Sequence, residues 1–234
     1  MESKIVLAAD ELSIEECLEL ASKIGNRVYA IKIHNLYDQH GPGVVNRLHD
    51  AGATRVWVDA KLHDIPNTVK LRAKAIAQSG ADIITVHASG GVEMMAAALK
   101  AQVEVYAITV LTSLKEEQIN FLHGQLSEHI VPRLARLAHD ARVHGVVCSP
   151  KQVGMLAQQS DLKGLKFIVP GVRSPGKATH DQQQVDTPAA AIRAGATHIV
   201  VDRQVTQAPD PIAALEEIER EIAEALASTE GVTS

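Results

Sequence analysis

The chain has 234 residues, of which 46% are hydrophobic and only 3% aromatic, so its length suits one large α/β domain with a core of small aliphatic side chains. The net charge of −5 gives no general attraction to nucleic acid or to anionic membranes. No stretch approaches the about 20 apolar residues of a membrane span, and the N-terminus does not resemble a signal peptide, so we expect a soluble cytoplasmic protein.

Eight short apolar runs alternate with segments of helical periodicity. The runs cover residues 4–10, 28–34, 55–62, 81–88, 103–111, 145–149, 166–172 and 198–203. Ser13 followed by Glu16 is typical of a capping box at the start of the first helix. Eight strand–helix repeats predict an α/β fold, a single-domain (β/α)8 TIM barrel over residues 1–226, with a flexible C-terminal tail over residues 227–234. A doubly wound open sheet is disfavoured because no G-x-G-x-x-G fingerprint follows the first run.

Polar residues collect where the apolar runs end. These residues are Asp10, Lys32 with His34, Asp59 with Lys61, His87 with Ser89, Thr112, Ser149, Arg173 and Arg203. In a TIM barrel the active site lies at the C-terminal ends of the strands. The coincidence across all eight runs therefore predicts a functional site at that end of the barrel.

The stretch RVWVDAKLHDIPNTV, residues 55–69, concentrates charge at the end of the third run. Alternate residues of a strand face the same side, so Asp59 and Lys61 should project together into the barrel mouth, within reach of Lys32. With Asp64 on the following loop, they would form a row of alternating charges. A lysine kept protonated by carboxylates can stabilise and protonate a carbanion, and a fixed aspartate can repel a departing anionic group. No metal or organic cofactor is expected.

The sequence predicts that the protein binds its ligand through a phosphate group. Arg173 and Arg203 end the seventh and eighth runs, where barrels of this class usually bind phosphate. Gln182, in a segment over 173–187 long enough to serve as a lid, could close over the same group. Binding energy from a phosphate that is remote from the reacting atoms can organise the site.

These motifs resemble those of the orotidine 5′-phosphate decarboxylases of the bacterial type. The string DAKLHDIPNTV is similar to the family's D-x-K-x-x-D motif with its extension. The similarity continues in order through HASGG (87–91), TVLTS (109–113), GVVCS (145–149), VPGVR (169–173), DQQQV (181–185) and RQVTQAPDP (203–211). The resemblance implies a dimeric barrel that converts orotidine 5′-phosphate to uridine 5′-phosphate and carbon dioxide in de novo pyrimidine synthesis, without a cofactor.

The resemblance also implies roles for individual residues. Lys61 matches the proton donor to the pyrimidine carbanion, and Asp59 matches the carboxylate beside the departing group. The residue at the position of Asp64 comes from the partner subunit in the family, which implies a homodimer with shared active sites. The implied catalytic set is Lys32, Asp59, Lys61 and Asp64, and the implied substrate-binding set is Asp10, Lys32, Ile65, Thr68, Thr112, Arg173, Gln182, Asp202 and Arg203.

The chain departs from the family pattern at three places. Asp202 stands where the family usually has glycine before the phosphate-binding arginine, Ile33 and His34 replace the usual V-G after Lys32, and Gln184 replaces an arginine. A carboxylate at position 202 should repel a dianion. Asp202→Gly is therefore predicted to tighten substrate binding, and an unchanged or raised KM would contradict this.

Two alternatives stay open at the level of sequence. Hexulose-phosphate synthase and ketogulonate-phosphate decarboxylase resemble the chain in D-x-K-x-x-D but use Mg²⁺, for which His34, Asp59 and His87 are candidate ligands. Lys32 and Lys61 oppose this reading, because two ammonium groups beside a cation are unfavourable. The second alternative is a non-catalytic barrel that binds a nucleotide, supported by the carboxylate in place of the family's glycine.

Overall fold

The computed structural model describes residues 2–174 and 186–230, with side chains as far as residue 227. The strands are β1 (Ile5–Ala8), β2 (Ala30–Ile33), β3 (Val56–Leu62), β4 (Ile83–His87), β5 (Glu104–Ile108), β6 (Gly145–Val147), β7 (Lys166–Val169) and β8 (His198–Val201). They pair in parallel in chain order, and β8 pairs with β1 to close the barrel. This confirms the predicted (β/α)8 architecture.

Helices cover the outside of the barrel and its loops. They are α1 (Ile14–Ile24), α2 (Asn35–His40), α3 (Gly43–Asp50), α4 (Pro66–Gln78), α5 (Gly91–Ala98), α6 (Glu116–His123), α7 (Ser127–Asp140), α8 (Pro150–Ala157), α9 (Pro188–Arg193), α10 (Arg203–Thr206) and α11 (Pro211–Glu230). The predicted capping box is present, since the backbone N–H of Glu16 donates to Ser13 Oγ and the backbone N–H of Ser13 donates to the Glu16 carboxylate. The predicted barrel–tail boundary at residue 226 falls inside α11. None of the helices described is long and apolar enough to cross a membrane.

The strands bury side chains on both faces, as parallel strands of a barrel do. One cluster lies between strands and helices, and a second fills the barrel interior. The interior cluster consists of Val6, Ala8, Tyr29, Ala30, Trp57, Ile83, Tyr106, Ile168 and Val200. Trp57 and Tyr106 meet edge to face, with ring centroids 5.1 Å apart. This packed layer forms the floor beneath the polar residues at the strand C-termini.

The N-terminal end of the barrel is closed by a different polar network. Lys166 Nζ lies 2.9 Å from Glu104 Oε2 and 3.0 Å from the hydroxyl of Tyr29. The hydroxyl of Tyr106 also donates to Glu104. Buried polar groups that satisfy one another rigidify a core, and this end of a TIM barrel typically serves stability.

Candidate active site

A cavity of about 250 Å³ opens at the C-terminal ends of the strands. Four charged side chains from the ends of β1, β2 and β3 line it: Asp10, Lys32, Asp59 and Lys61. Apolar side chains such as Trp57, Ile108 and Val200 line it as well, together with Thr112 after β5 and Asp202 after β8. The structure therefore places a concave site with converging charges at the end of the barrel that the sequence indicates.

A bulge in β3 shapes this site. Val58 pairs with Ile84 and Leu62 with Val86, so four steps along β3 match two steps along β4. Within the bulge Lys61 has a φ of 45°, in the left-handed region that non-glycine residues avoid at a cost of about 1–2 kcal/mol. Backbone strain of this kind is typical of functional positions, and here it accompanies the contact between Lys61 and Asp59.

The four charged residues form a continuous chain of ion pairs, which we call the charge row. Lys32 Nζ lies 2.9 and 2.8 Å from the two carboxylate oxygens of Asp10 and 3.3 Å from Asp59 Oδ2. Lys61 Nζ lies 2.6 Å from the same Asp59 oxygen. The side chains of Lys32 and Asp59 are 9% exposed, whereas that of Lys61 is 41% exposed to the cavity side. The charges along the row thus alternate from the anion of Asp10 to the cation of Lys61.

Mutual attraction keeps the buried members of the charge row ionised. Burial by itself would raise the pKa of Asp59, but the charges of Lys32 and Lys61 outweigh it and lower that pKa. Burial would likewise lower the pKa of Lys32, but Asp59 and Asp10 outweigh it and raise that pKa. The site therefore presents fixed carboxylate and ammonium groups at neutral pH.

Asp10 provides a test of this electrostatic account through stability. Burial would raise its pKa, but a hydrogen bond from His34 and the charge of Lys32 outweigh it and lower the pKa to about 2. A lowered carboxyl pKa stabilises the fold above the unfolded-state value of 3.8, and this stabilisation is lost as the pH falls towards about 2. The stability difference between wild type and Asp10→Asn should shrink by about 1 kcal/mol between about pH 5 and about pH 3. Urea unfolding at each pH measures it, and a constant difference would contradict the account.

His34 orients Asp10. Its Nδ1 accepts a hydrogen bond from the backbone N–H of Asn35 at 2.6 Å, which leaves the proton on Nε2. Nε2 lies 3.3 Å from Asp10 Oδ1, so the ring donates to the carboxylate. His87 instead lies beside His63, with ring centroids 5.4 Å apart. No group of three metal-ligating side chains comes together in residues 2–174 and 186–230, so the alternative set of His34, Asp59 and His87 is not assembled.

Thr85 is a site residue that the sequence did not indicate. Its hydroxyl accepts from the Trp57 indole N–H and donates to Asp59 Oδ1, both at 2.7 Å. The residue is fully buried on β4 and anchors the Asp59 oxygen that the lysines do not share. The available signal was its position two residues before His87, which places it on the inward face of β4.

Three predicted residues lie outside the charge row of their own chain. Asp64 is exposed, and its Oδ1 accepts from the backbone N–H of Ile65 at 2.7 Å. Ile65 is 66% exposed at the start of α4, and Thr68 is half-buried one turn further. Among the residues described, Asp64 makes no ion pair with Lys61, so a single chain ends the row at Lys61.

The predicted phosphate residues are distributed around the ends of β7 and β8. Arg173 is buried, and its Nη2 lies 2.6 Å from Asp202 Oδ1 on the cavity wall. Arg203 begins α10, with Nη1 3.5 Å from Glu11 Oε1. Gln182 lies outside the described residues. Arg173 thus contacts Asp202, and Arg203 follows Asp202 in the chain, beside the part of the cavity wall that Asp202 forms.

Comparisons with known proteins agree with this architecture. Residues 3–218 match the model of the orotidine 5′-phosphate decarboxylase / HUMPS family. The chain is 40% identical over 230 residues to orotidine 5′-phosphate decarboxylase of Saccharophagus degradans, covering 95% of this chain and 96% of that protein. It is 42% identical over 217 residues to the enzyme of that name from Anaeromyxobacter sp., covering 90% and 94%. The crystal structure of orotidine 5′-phosphate decarboxylase from Lactobacillus acidophilus superimposes with a TM-score of 0.79 at 30% identity, covering 94% of this chain and 99% of that one.

Proposed function

The chain belongs to the orotidine 5′-phosphate decarboxylase / HUMPS family, and from this membership we propose that it converts orotidine 5′-phosphate to uridine 5′-phosphate and carbon dioxide. The reaction is a carboxy-lyase step of pyrimidine biosynthesis. The observation that carries the proposal is the charge row, in which Lys61 and Lys32 flank a buried Asp59 at 2.6 and 3.3 Å. This arrangement suits a reaction that removes an anionic group and leaves a carbanion.

The proposed mechanism uses the charge row directly. Asp59, fixed by Thr85 and both lysines, repels the substrate carboxylate. The bond between C6 and the carboxylate carbon breaks, carbon dioxide leaves, and the electron pair remains on C6. The ammonium of Lys61 stabilises this carbanion and transfers a proton to C6, and the neutral amine then regains a proton from solvent. Such stabilisation is stronger in the transition state than in the ground state, as catalysis requires.

We propose that no metal takes part. Asp59 is already paired with two ammonium groups, and these would repel a divalent cation placed beside them. His34, the other candidate ligand on this side, uses one ring nitrogen as an acceptor and turns the other towards Asp10. These contacts favour the decarboxylase over the Mg²⁺-dependent members of the family.

The remaining predicted residues receive substrate-binding roles. Asp10 and Lys32 would contact the ribose hydroxyls, and Thr112 in the cavity wall would contact the substrate beside them. Arg173, Arg203 and Gln182 would bind on the phosphate side, where Asp202 also lines the cavity. The carboxylate of the substrate would then lie at the charge row and its phosphate beside Asp202, in one cavity.

We propose that the enzyme is a homodimer with shared active sites. Asp64 is exposed and unused by its own charge row, which suits a residue that completes the row of a second protomer. The adjoining surface of α4 carries two large exposed apolar side chains, Ile65 (66%) and Leu71 (59%). Large apolar side chains left exposed near Asp64 suit a surface that a second protomer covers.

The decisive experiment measures the loss of orotidine 5′-phosphate absorbance with purified protein, before and after exhaustive chelation. We expect turnover that survives the chelator and does not rise when Mg²⁺ is added back. Nucleotide binding without turnover would identify a non-catalytic barrel. Activity that disappears with the chelator and returns with Mg²⁺ would establish a metal-dependent member of the family.

Thr85 is predicted to position Asp59 for this reaction. Thr85→Val keeps the shape of the side chain but removes the donor to Asp59 Oδ1, so kcat should fall about 10-fold to about 100-fold with KM little changed. Thr109→Val is a matched control, because Thr109 is also buried but donates to the backbone oxygen of Val147. Steady-state kinetics of both variants measure the effect. Equal losses in the two variants would indicate a general packing defect instead.

A further inference from the structure

Asp202 lies between the cavity and a buried arginine. Its side chain is 27% exposed and forms part of the cavity wall, whereas that of Arg173 is 3% exposed. The Nη2 atom of Arg173 lies 2.6 Å from Asp202 Oδ1, and Nη1 donates to the backbone oxygen of Val172. Any anion that approaches Arg173 from the cavity is therefore repelled by the carboxylate of Asp202.

The guanidinium of Arg173 retains unused hydrogen-bonding capacity. Within the described ranges, Arg173 Nε and Nη2 and Asp202 Oδ1 are buried and have no aligned hydrogen-bond partner, although the charges of the pair are in contact. A guanidinium has five N–H donors in a planar fork that matches the oxygens of a phosphate. A buried arginine with unmade hydrogen bonds is thus suited to bind an anionic ligand, provided that Asp202 releases it.

We propose that Asp202 is a specificity-determining residue, whose carboxylate holds Arg173 and competes with the phosphate of the substrate for it. The inference rests on the proposed function, because orotidine 5′-phosphate supplies the phosphate. The competition makes binding of phosphorylated ligands weaker than an uncharged residue at this position would allow. In exchange, Asp202 neutralises a buried guanidinium that has no other acidic partner in the part of the chain that the structure describes.

This dual role predicts opposite effects on affinity and stability. Asp202→Asn removes the charge and keeps the shape, and Asp202→Gly removes the side chain altogether. Both variants should bind phosphorylated ligands more tightly and unfold more easily, whereas a residue with a purely structural role would lose stability without gaining affinity.

The test is calorimetric titration of wild type, Asp202→Asn and Asp202→Gly with uridine 5′-phosphate, inorganic phosphate and uridine, together with thermal unfolding. We expect the Kd values for uridine 5′-phosphate and phosphate to fall about tenfold and that for uridine to stay unchanged. The melting temperature should fall by about 5 °C. Asp186→Asn is the matched control, because Asp186 is exposed and only its backbone oxygen accepts from the backbone N–H of Arg173, while its carboxylate accepts from the backbone N–H of Thr187. It should change neither quantity.

Three outcomes would overturn the inference. If the Asp202 variants bind uridine 5′-phosphate with the same affinity as wild type, or more weakly, Asp202 does not have the proposed role. The proposed function would then remain intact. An equal gain in affinity for uridine would attribute the effect to cavity space instead of charge. If no protein, wild type included, bound uridine 5′-phosphate, the proposed function would fail and this inference with it.

Discussion

Lys61→Ala is expected to lower kcat by at least about 10⁴-fold while the Kd for uridine 5′-phosphate changes only a few-fold. The ammonium of Lys61 is the exposed end of the charge row, 2.6 Å from Asp59 and facing the cavity. In the proposed mechanism, its loss removes both the charge that stabilises the carbanion and the proton that quenches it. The product has no carboxylate at C6 and would keep the proposed ribose and phosphate contacts, so its binding should depend little on that charge.

Steady-state kinetics and calorimetry of the same preparation measure both quantities. Lys163→Ala is the control, because Lys163 is an exposed lysine just before β7, at the opposite end of the barrel from the cavity. Turnover within tenfold of wild type in the Lys61 variant would remove Lys61 from the chemistry. A parallel loss of kcat and of nucleotide binding would reduce its role to holding the site together.

The barrel and the place of its site could be predicted because each depends on a local pattern. Eight apolar runs separated by helical segments indicate the closed barrel, and the two-residue period of strands puts Asp59 and Lys61 on one face. The structure brings these two residues and Lys32 into contact. The identity of the family could be recognised from the string around Asp59 because that string is long and unbroken.

The neighbours of those charges could not be predicted, because they depend on register and on the bulge. Asp10 joins the charge row because β1 and β2 pair with Ala8 opposite Lys32, a register that periodicity alone does not fix. Thr85 reaches Asp59 because β3 and β4 pair with Val58 opposite Ile84, so that Asp59 and Thr85 are the next residues along the two strands. No local signal marks the left-handed backbone at Lys61, since lysine does not favour that conformation.

Where phosphate is proposed to bind, the sequence predicts the place of a residue but not its partner. The motif VPGVR predicts Arg173 at a strand end, and in the structure it contacts Asp202 of the cavity wall. Its side chain is nevertheless buried against Asp202 and does not face the cavity freely. A departure from a family pattern shows that a contact has changed, but only the structure shows which residue forms an ion pair with the new charge.

Mixing two inactive variants should restore activity if protomers share their sites. Lys61→Ala and Asp64→Ala proteins are each expected to be nearly inactive, because each breaks both sites of its own homodimer. In a heterodimer of the two, one site lacks both groups and the other is intact. A mixture of equal amounts after subunit exchange should therefore recover about a quarter of the wild-type activity.

The control for this complementation is a mixture of Lys61→Ala with Asp59→Ala. Both residues lie on β3 and contact each other at 2.6 Å within one chain, so every site in that heterodimer lacks one of them. If activity recovers when Lys61→Ala is mixed with Asp64→Ala but not with Asp59→Ala, Asp64 must serve the site of the other protomer. The exposure of Asp64 and its absence from its own charge row already favour this. A purified heterodimer of the Lys61 and Asp64 variants with no activity, or an Asp64→Ala protein with full activity, would show instead that each chain builds its site alone.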